Sequence, residues 1–400
     1  MLKPEPQHSA YDVVIVGGAM IGSAIAWHLA CRLDFPGRIL VVERDPGFRQ
    51  ASTSLTNSCM RQQFSTPLNV RMSQYCAAFA RDFREEIGDG AAPRIHVQAF
   101  GYLYLADNED FAAHLRRVQT MQAGLGAGTR ILSRADMERR FPYFDLDGII
   151  LGSFNDRDEG YFDGATMLDW WRRMARRRGV ETVHGEVVAI SRTQNRASAV
   201  TLARGTRVNC GWLVNAAGTR AAELAAMAGI AGLPVEPRKR YTYVIAAENP
   251  PSPELPLTID PSGVHMRSDG AHYMIGAAPV DDTPVDSDDF SFDHSLWENR
   301  VWPAIAARVP AFERVRVLNE WVGHYAYNRI DRNAILGPHP KLDNFLFANG
   351  FSGHGYQHAP AVGRGIAEWI VHGRWQSLDL EELTFARVAQ GAAGGETAVI

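Results

Sequence analysis

Between Tyr11 and Glu43 the chain carries a pattern that few folds accommodate. The apolar, β-branched run Tyr11-Asp12-Val13-Val14-Ile15-Val16 leads into Gly17-Gly18-Ala19-Met20-Ile21-Gly22, and Ile39-Leu40-Val41-Val42 then ends on Glu43. Such a run suits a parallel strand covered on both faces. Residues 23–33 have the length and composition of a crossover helix, so the order is strand, tight turn, helix, strand. Gly17 suits the turn and Gly22 a close contact of helix on strand. The N–H groups at the helix start, around Ala19, Met20 and Ile21, offer partial positive charge to a pyrophosphate. Glu43 is spaced to accept hydrogen bonds from a ribose 2′-OH, and a carboxylate there argues against the 2′-phosphate of NADP. The middle glycine of the fingerprint is replaced by Ala19, which keeps its N–H and adds one methyl group. Dinucleotide binding with a small shift of the phosphate is expected.

The length of 400 residues at 46% hydrophobic content allows a large core and two or three domains. A net charge of −4 argues against a polyanion partner, so no nucleic acid is expected. The basic run from Arg172 to Arg178, followed by Gly179, reads as the solvated C-terminal end of a helix. Cys31, Cys59, Cys76 and Cys210 form no CxxC pair and signal neither a metal knuckle nor a redox disulfide. Residues 1–10 lack a signal-peptide pattern. The apolar stretch from Tyr11 to Ala30 contains Asp12 and His28 and is strand plus helix instead of a membrane span. A soluble, cytoplasmic protein without a transmembrane segment is therefore expected. Lysine is confined to Lys3, Lys239 and Lys341, which limits the sources of a catalytic ammonium.

Further along, Ala51-Ser52-Thr53-Ser54 is a polar small-residue run suited to line a cofactor or to form a plain loop. Helices are expected over residues 66–87, 108–125, 164–178 and 297–309, with strands near 95–105, 187–190, 199–202, 241–245 and 272–276. Trp212-Leu213-Val214-Asn215-Ala216-Ala217-Gly218 reads as a strand whose small-residue end lets backbone approach a ligand. The acidic loop at residues 281–289 lacks the glycine turn and terminal glutamate of a calcium loop and reads as solvated. Near the C-terminus, Phe345-Leu346-Phe347-Ala348-Asn349-Gly350-Phe351-Ser352-Gly353-His354-Gly355 gives a second strand, glycine turn and helix start. His354 and His358 are four apart, but no third ligand accompanies them and no metal is expected. The Gly/Ala-rich tail after Gln390 reads as mobile.

Three of these features together, the fingerprint with Glu43-Arg44, the Ala-Ala-Gly end at Gly218, and Gly350-Phe351-Ser352-Gly353-His354-Gly355 with Ala359-Pro360, resemble the D-amino acid oxidase superfamily. Within it the chain is similar to the glycine oxidase and monomeric sarcosine oxidase branch. It is closer to the FAD-dependent oxidoreductase domain-containing proteins, a group with a mitochondrial member that assists complex I assembly. Val42-Glu43-Arg44-Asp45, Gln50-Ala51-Ser52-Thr53, Gln62-Gln63-Phe64-Ser65, Asp158-Glu159-Gly160 and Gly337-Pro338-His339-Pro340 carry that likeness, which spans about residues 10 to 375.

The resemblance implies an α/β fold, α+β overall: a discontinuous Rossmann-type FAD-binding domain (residues 10–90, 148–232 and 320–378) and an antiparallel-sheet substrate domain (91–147 and 233–319), followed by a tail (379–400). It implies non-covalent FAD, with Glu43 at the adenosine ribose, Arg44 beside the adenine, Val188 meeting the adenine through its backbone, and Ser52 and Thr53 along the diphosphate and ribityl chain. Ala217 and Gly218 would lie at the pyrophosphate, and Gly353, His354, Gly355, Tyr356 and Gln357 at the ring. Arg61 matches an arginine that contacts the substrate carboxylate in sarcosine oxidases. Gln357 stands where those enzymes have a lysine, a second flavin-facing lysine is missing near Gly276, and Gly323 stands about where they attach flavin through cysteine. The implied reaction is hydride transfer to flavin N5 from a carbon bearing the amine of an amino acid or N-alkyl amino acid, giving an imine that hydrolyses, with His324, Tyr325 and His354 as candidates to favour the neutral amine. The missing lysines favour a dehydrogenase with a quinone or electron-transfer protein as acceptor. A 2-hydroxy acid dehydrogenase and a non-catalytic assembly factor are the alternatives.

Overall fold

The computed structural model describes residues 4–391 and 395–398. The chain opens with β1 (Ala10–Val16), α1 (Met20–Trp27) and β2 (Ile39–Glu43). Next come β3 (Cys59–Met60), α2 (Pro67–Arg81), α3 (Phe83–Ile87), β4 (Val97–Gln98), β5 (Tyr102–Ala106) and α4 (Glu109–Gly124). They are followed by β6 (Arg130–Ser133), α5 (Arg134–Arg140), β7 (Leu151–Asn155), β8 (Gly160–Phe162) and α6 (Gly164–Arg177). Then β9 (Glu181–His184), β10 (Val187–Thr193), β11 (Arg196–Leu202) and β12 (Arg207–Asn215) lead to α7 (Ala221–Met227). The long β13 (Val235–Ala247) precedes β14 (Leu257–Ile259), β15 (His265–Asp269), β16 (His272–Ala277), α8 (Trp302–Arg308) and β17 (Val315–Asn328). The described chain continues through β18 (Ile335–His339), β19 (Leu342–Asn349), α9 (Gly355–His372) and α10 (Phe385–Ala389).

In the first sheet the order is β10-β11-β12-β1-β2-β9, with β19 beside β12 and β18 beside β19. β1 runs parallel to both β12 and β2. Successive side chains of a strand point to opposite faces, and here both faces are covered. Val13 and Ile15 join the core that holds α1, α2, α6 and α9, whereas Val14 and Val16 join the core on the side of α7. That is why the strand reads as an unbroken apolar run. Helices α1 and α9 cross closely, since a Cβ at Gly363 would stand 2.7 Å from the Cβ of Ala24.

The second sheet has the order β17-β13-β16-β15-β14-β5-β7-β6 and is antiparallel except where β14 meets β5. Its spine is the β13–β17 ribbon, paired from Val235 opposite Asn328 to Ala247 opposite Val315. Strand membership departs from the sequence-based boundaries. β7 pairs with β5 and β6, so the chain rejoins the first sheet at β9 instead of near residue 148. All of β17 lies in the second sheet, which moves the last crossing from residue 320 to beyond Asn328. The partners of β7 and β17 are distant in sequence, and local pattern does not reveal them.

The basic run closes α6, where Arg177 and Arg178 form surface ion pairs with Asp89 and Asp34. Lys239 sits in mid-β13. It is 8% exposed, with its ammonium 2.9 Å from Asp289. The tail also differs from expectation over residues 395–398, because Glu396 has no exposed surface.

Candidate active site

A cleft, open at its mouth, runs between the two sheets. One end is built on the β1–α1 turn. Gly17 has φ +101°, and a Cβ there would stand 2.2 Å from the Ala216 carbonyl oxygen. A Cβ at Gly22 would stand 1.8 Å from the carbonyl oxygen of Gly17, which is the close helix-on-strand contact expected from the motif. Ala19 precedes α1 with φ −72° and ψ −156°, ordinary extended backbone that tolerates a side chain. The tighter position is Gly18, where a Cβ would lie 2.9 Å from Val41 Cγ1. The substitution at Ala19 therefore leaves the turn intact.

Glu43 is buried at the end of β2 and accepts hydrogen bonds from the Gly18 N–H and the Asp45 N–H, both at 2.7 Å. Burial pushes its carboxyl above the usual range, against those two bonds. Arg44 lines the cleft and pairs with Asp288 at 3.1 Å. Asp288 also binds Arg220, so ion pairs tie the acidic loop across this end while Asp281, Asp286 and Asp288 stay exposed to solvent as expected. Thr53 Oγ1 accepts from the Met20 N–H at 3.3 Å and Ser52 Oγ donates to the His324 carbonyl at 2.6 Å, which ties the polar run to both sheets. Ile21, Ala217 and Gly218 complete this lining, with Gly218 at φ +58° and open space for 4 Å around the point its Cβ would occupy. Val188 is not among the lining residues. It sits at a register shift in β10 as a 47% exposed residue, and its neighbour Val187 lines the adjoining side pocket. A one-residue slip exchanges the faces of a strand.

The other end is built on the turn before α9. Gly353 has φ +97°, and the Tyr325 ring lies 2.4 Å from where its Cβ would be. Gly355, Tyr356 and Gln357 form the first turn of α9 and line the cleft, where helix-start N–H groups lack intrahelical partners. Gln357 is buried. Its Oε1 accepts from the Arg61 N–H at 2.7 Å, and its Nε2 has no partner.

The three candidate amine-facing side chains separate. Tyr325 lines the cleft with the Arg240 guanidinium 4.6 Å from its ring centroid. His324 contributes its carbonyl, while its ring stacks on Phe290 at 4.2 Å and its Nε2 contacts the Asp289 carbonyl. His354 is corrected outright. Its ring is buried against Phe64 and His358, neither ring nitrogen has a partner, and the side chain is absent from the cleft lining. Burial, reinforced by Arg61, lowers its pKa to about 3, so the imidazole is neutral. His358 contacts Ser73 Oγ, and no metal-binding cluster occurs among the described residues.

Arg61 does reach the cleft. It is buried, its guanidinium lies 4.3 Å from the Phe64 ring centroid, and its hydrogen bonds go to the carbonyl oxygens of Gln63 and Ala398. Among the described residues it has no ion-pair partner. The cleft is also lined by His265, which sequence reasoning missed. Its Nε2 lies 3.0 Å from Asn57 Nδ2, and Asn57 Oδ1 accepts from Thr242. Burial, then Arg240, Arg267 and Arg61, lower the His265 pKa to about 4. The one signal is Gly276, its cross-strand partner, where a Cβ would fall 2.1 Å from the His265 ring. The missing side chain at position 276 is what admits the imidazole.

The glycine cradle at one end, the carboxylate at the end of β2, and the unsatisfied amide and helix start at the other fit an extended flavin dinucleotide. The sequence matches the family described as DAO, FAD dependent oxidoreductase, over residues 12–369. It is 38% identical to FAD-dependent oxidoreductase domain-containing protein 1 of Xenopus laevis, covering 94% of this chain and 82% of that protein. It is 25% identical to mitochondrial sarcosine dehydrogenase of Mus musculus, over 92% of this chain but 40% of that one. L-proline dehydrogenase from P. horikoshii shares the fold, with a TM-score of 0.83 at 24% identity and coverage of 98% and 99% of the two chains.

Proposed function

The chain belongs to the DAO family of FAD-dependent oxidoreductases, and we propose that it oxidises the C–N bond of an amino acid or N-alkyl amino acid held by its carboxylate at Arg61. Bound FAD would supply the hydride acceptor for the carbon bearing the amine, giving an imine that hydrolyses in water. Gly17, Ala19, Met20, Ile21, Gly22, Glu43 and Arg44 would hold the adenosine and diphosphate, with Ser52, Thr53, Ala217 and Gly218 along the chain. The backbone of Gly353 to Gln357 would sit at the ring, where the N–H groups of Gly355, Tyr356 and Gln357 can stabilise negative charge. Binding without a covalent bond is part of the proposal, and acid should release intact FAD.

The observation that carries this reading is a buried guanidinium at the cleft with only neutral oxygen partners. A desolvated charge without a directly bonded counter-ion is costly, and a substrate carboxylate would supply one in a bidentate geometry suited to arginine. Tyr325 and the neutral His265 are the side chains on the cleft suited to an uncharged amine. The likeness to a sarcosine dehydrogenase supports an amine substrate. A dehydrogenase that passes electrons to a quinone, an electron-transfer protein or a dye is the preferred form.

Anaerobic mixing with a panel of amino acids, N-methyl amino acids and 2-hydroxy acids, read by bleaching of the flavin absorbance, tests the reading. Loss of one partner of a desolvated charge pair costs about 2–5 kcal/mol. Arg61→Ala should therefore raise the required concentration of acid by at least tenfold, while the amide of the same substrate is equally poor with both proteins. Bleaching by hydroxy acids alone would move the reaction to C–O oxidation. A flavin reduced by none of them would favour a non-catalytic role.

A further inference from the structure

The segment from Gly395 to Ala398 is held more firmly than a chain tail needs to be. The Glu396 N–H donates to the Asp331 carbonyl at 2.8 Å, and Gly395 has that same oxygen 2.6 Å from where its Cβ would be. The Glu396 carboxylate has no exposed surface. Its Oε1 accepts from the Ser65 N–H at 2.8 Å, Ser65 Oγ at 2.7 Å and the Ala398 N–H at 2.9 Å. Its Oε2 accepts from the Thr66 N–H at 3.0 Å and Asn69 Nδ2 at 2.9 Å. Ser65 and Thr66 lead into α2, so the anion also lies at the positive end of a helix dipole. Burial raises this carboxyl, but the Ser65 bonds and the others outweigh it and hold it below the usual range.

From that anchor the chain runs toward the cleft. The Thr397 N–H donates to Ser65 Oγ, the Thr397 hydroxyl meets His114 Nε2 at 2.9 Å, and the Ala398 carbonyl accepts from Arg61 Nη2. Two edges of the Arg61 fork are thus fixed, Nε by Gln63 and Nη2 by Ala398, and one face rests on Phe64. Arg61 lines the cleft and Ala398 does not, so the strap lies behind the guanidinium and leaves Nη1 available to a ligand.

We propose that residues 395–398 are a positioning strap, pinned by Glu396, that orients the Arg61 guanidinium for a substrate carboxylate. This rests on the carboxylate reading of Arg61. A planar fork free to turn about its side-chain torsions presents its donors poorly, and misplacement of a group that binds the carboxylate costs affinity for the acid and its distinction from the amide. Complete burial and five hydrogen bonds on one carboxylate mark a fixed part of the site instead of a mobile cover.

The FAD-loaded protein and its Glu396→Ala, Arg61→Ala and double variants should be compared with an acid substrate and its amide. A non-oxidisable carboxylate should be titrated in parallel against the flavin absorbance and the melting temperature. Glu396→Ala should raise KM for the acid and weaken the inert carboxylate by about tenfold, with kcat and the amide unchanged. The double variant should be no worse than Arg61→Ala. A variant lacking residues 395–400, or Glu396→Gln, repeats the test if Glu396→Ala does not fold. Unchanged acid affinity in Glu396→Ala, beside a clear loss in Arg61→Ala, would overturn the strap and leave the carboxylate site standing. Equal loss for acid and amide would reduce the segment to a structural role, and a lower KM would make it a competitor of substrate; either overturns the proposal. If Arg61→Ala itself leaves acid and amide as in the wild type, the carboxylate site falls and the strap with it.

Discussion

Glu159 shows how one buried group can make both stability and the site depend on pH. Its carboxyl has no exposed surface and accepts from the Gln62 N–H at 2.6 Å, Asn155 Nδ2 at 2.7 Å and Gln63 Nε2 at 3.0 Å. Burial nevertheless dominates and raises its pKa from 4.5 to about 8. Between those values the folded chain keeps a proton that the unfolded chain has lost. The stabilising contribution is complete below pH 4.5 and is lost as pH rises through about 8. The slope cannot exceed about 1.4 kcal/mol per pH unit for one group. Urea unfolding of wild type and Glu159→Gln from about pH 5 to 8 should give a fall in stability for the wild type that the variant lacks. Parallel curves would mean that Glu159 does not titrate in this window. The consequence reaches the cleft, because Gln63 bonds Glu159 through its amide and Arg61 through its carbonyl.

At the level of elements, the β1–α1–β2 unit tolerates change unevenly. Gly22→Ala places a methyl carbon 1.8 Å from the Gly17 carbonyl oxygen, which only a shift of α1 could relieve. Overpacking of this kind costs about 1–3 kcal/mol, and the variant should melt lower and lose FAD on gel filtration. Ala19→Gly should retain FAD as the wild type does, since the extended conformation at this position needs no glycine. FAD retained equally in both variants would show that the turn does not set the binding geometry. This unit was legible in the sequence because its determinants lie within one short stretch and its two-sided burial leaves an apolar run. The glycine turn before α9 was legible for the same reason. The direction of the His354 ring was not, because its packing against Phe64, far off in sequence, and His358 decides it. Nor were His265 with Asn57, or Glu396 with Ser65, whose partners lie 208 and 331 residues apart. Such contacts follow from how the two sheets face each other, which no local spacing encodes. The acidic loop reads as solvated from composition alone, and only the fold brings Arg44 and Arg220 to Asp288.

For the whole molecule, the placement of cations bears on where the electrons go. Transfer to oxygen develops negative charge on a small molecule in a water-poor site, and a fixed cation close by is the strongest means of stabilising it. Among the described residues the lysines are Lys239 and Lys341, and neither lines the cleft. Lys239 is turned away from it, bound to Asp289, the Ser291 carbonyl and Ser291 Oγ. The position of the ring-facing lysine is Gln357, an uncharged amide, and the space beside Gly276 is filled by His265, which is neutral above about pH 4. Of the guanidiniums on the cleft, Arg44 and Arg220 are paired with Asp288, Arg240 is bidentate to Asp282 at 2.9 and 3.0 Å, and Arg61, fixed by two carbonyl oxygens, is reserved in the proposed reading for the substrate carboxylate. Their charge is delocalised, and that of Arg240 is neutralised as well. Slow reoxidation in air and fast reoxidation by a quinone analogue or dye are therefore expected, with Lys239→Met behaving as the wild type. Stopped-flow mixing of the substrate-reduced protein with oxygen decides the matter. Rapid reoxidation with stoichiometric peroxide would sink the dehydrogenase assignment. If Lys239→Met then slowed it, the ammonium would have to leave Asp289 and swing into the cleft during turnover. If His265→Ala slowed it instead, the imidazole would be taking the place of the missing lysine and would have to be protonated when oxygen reacts.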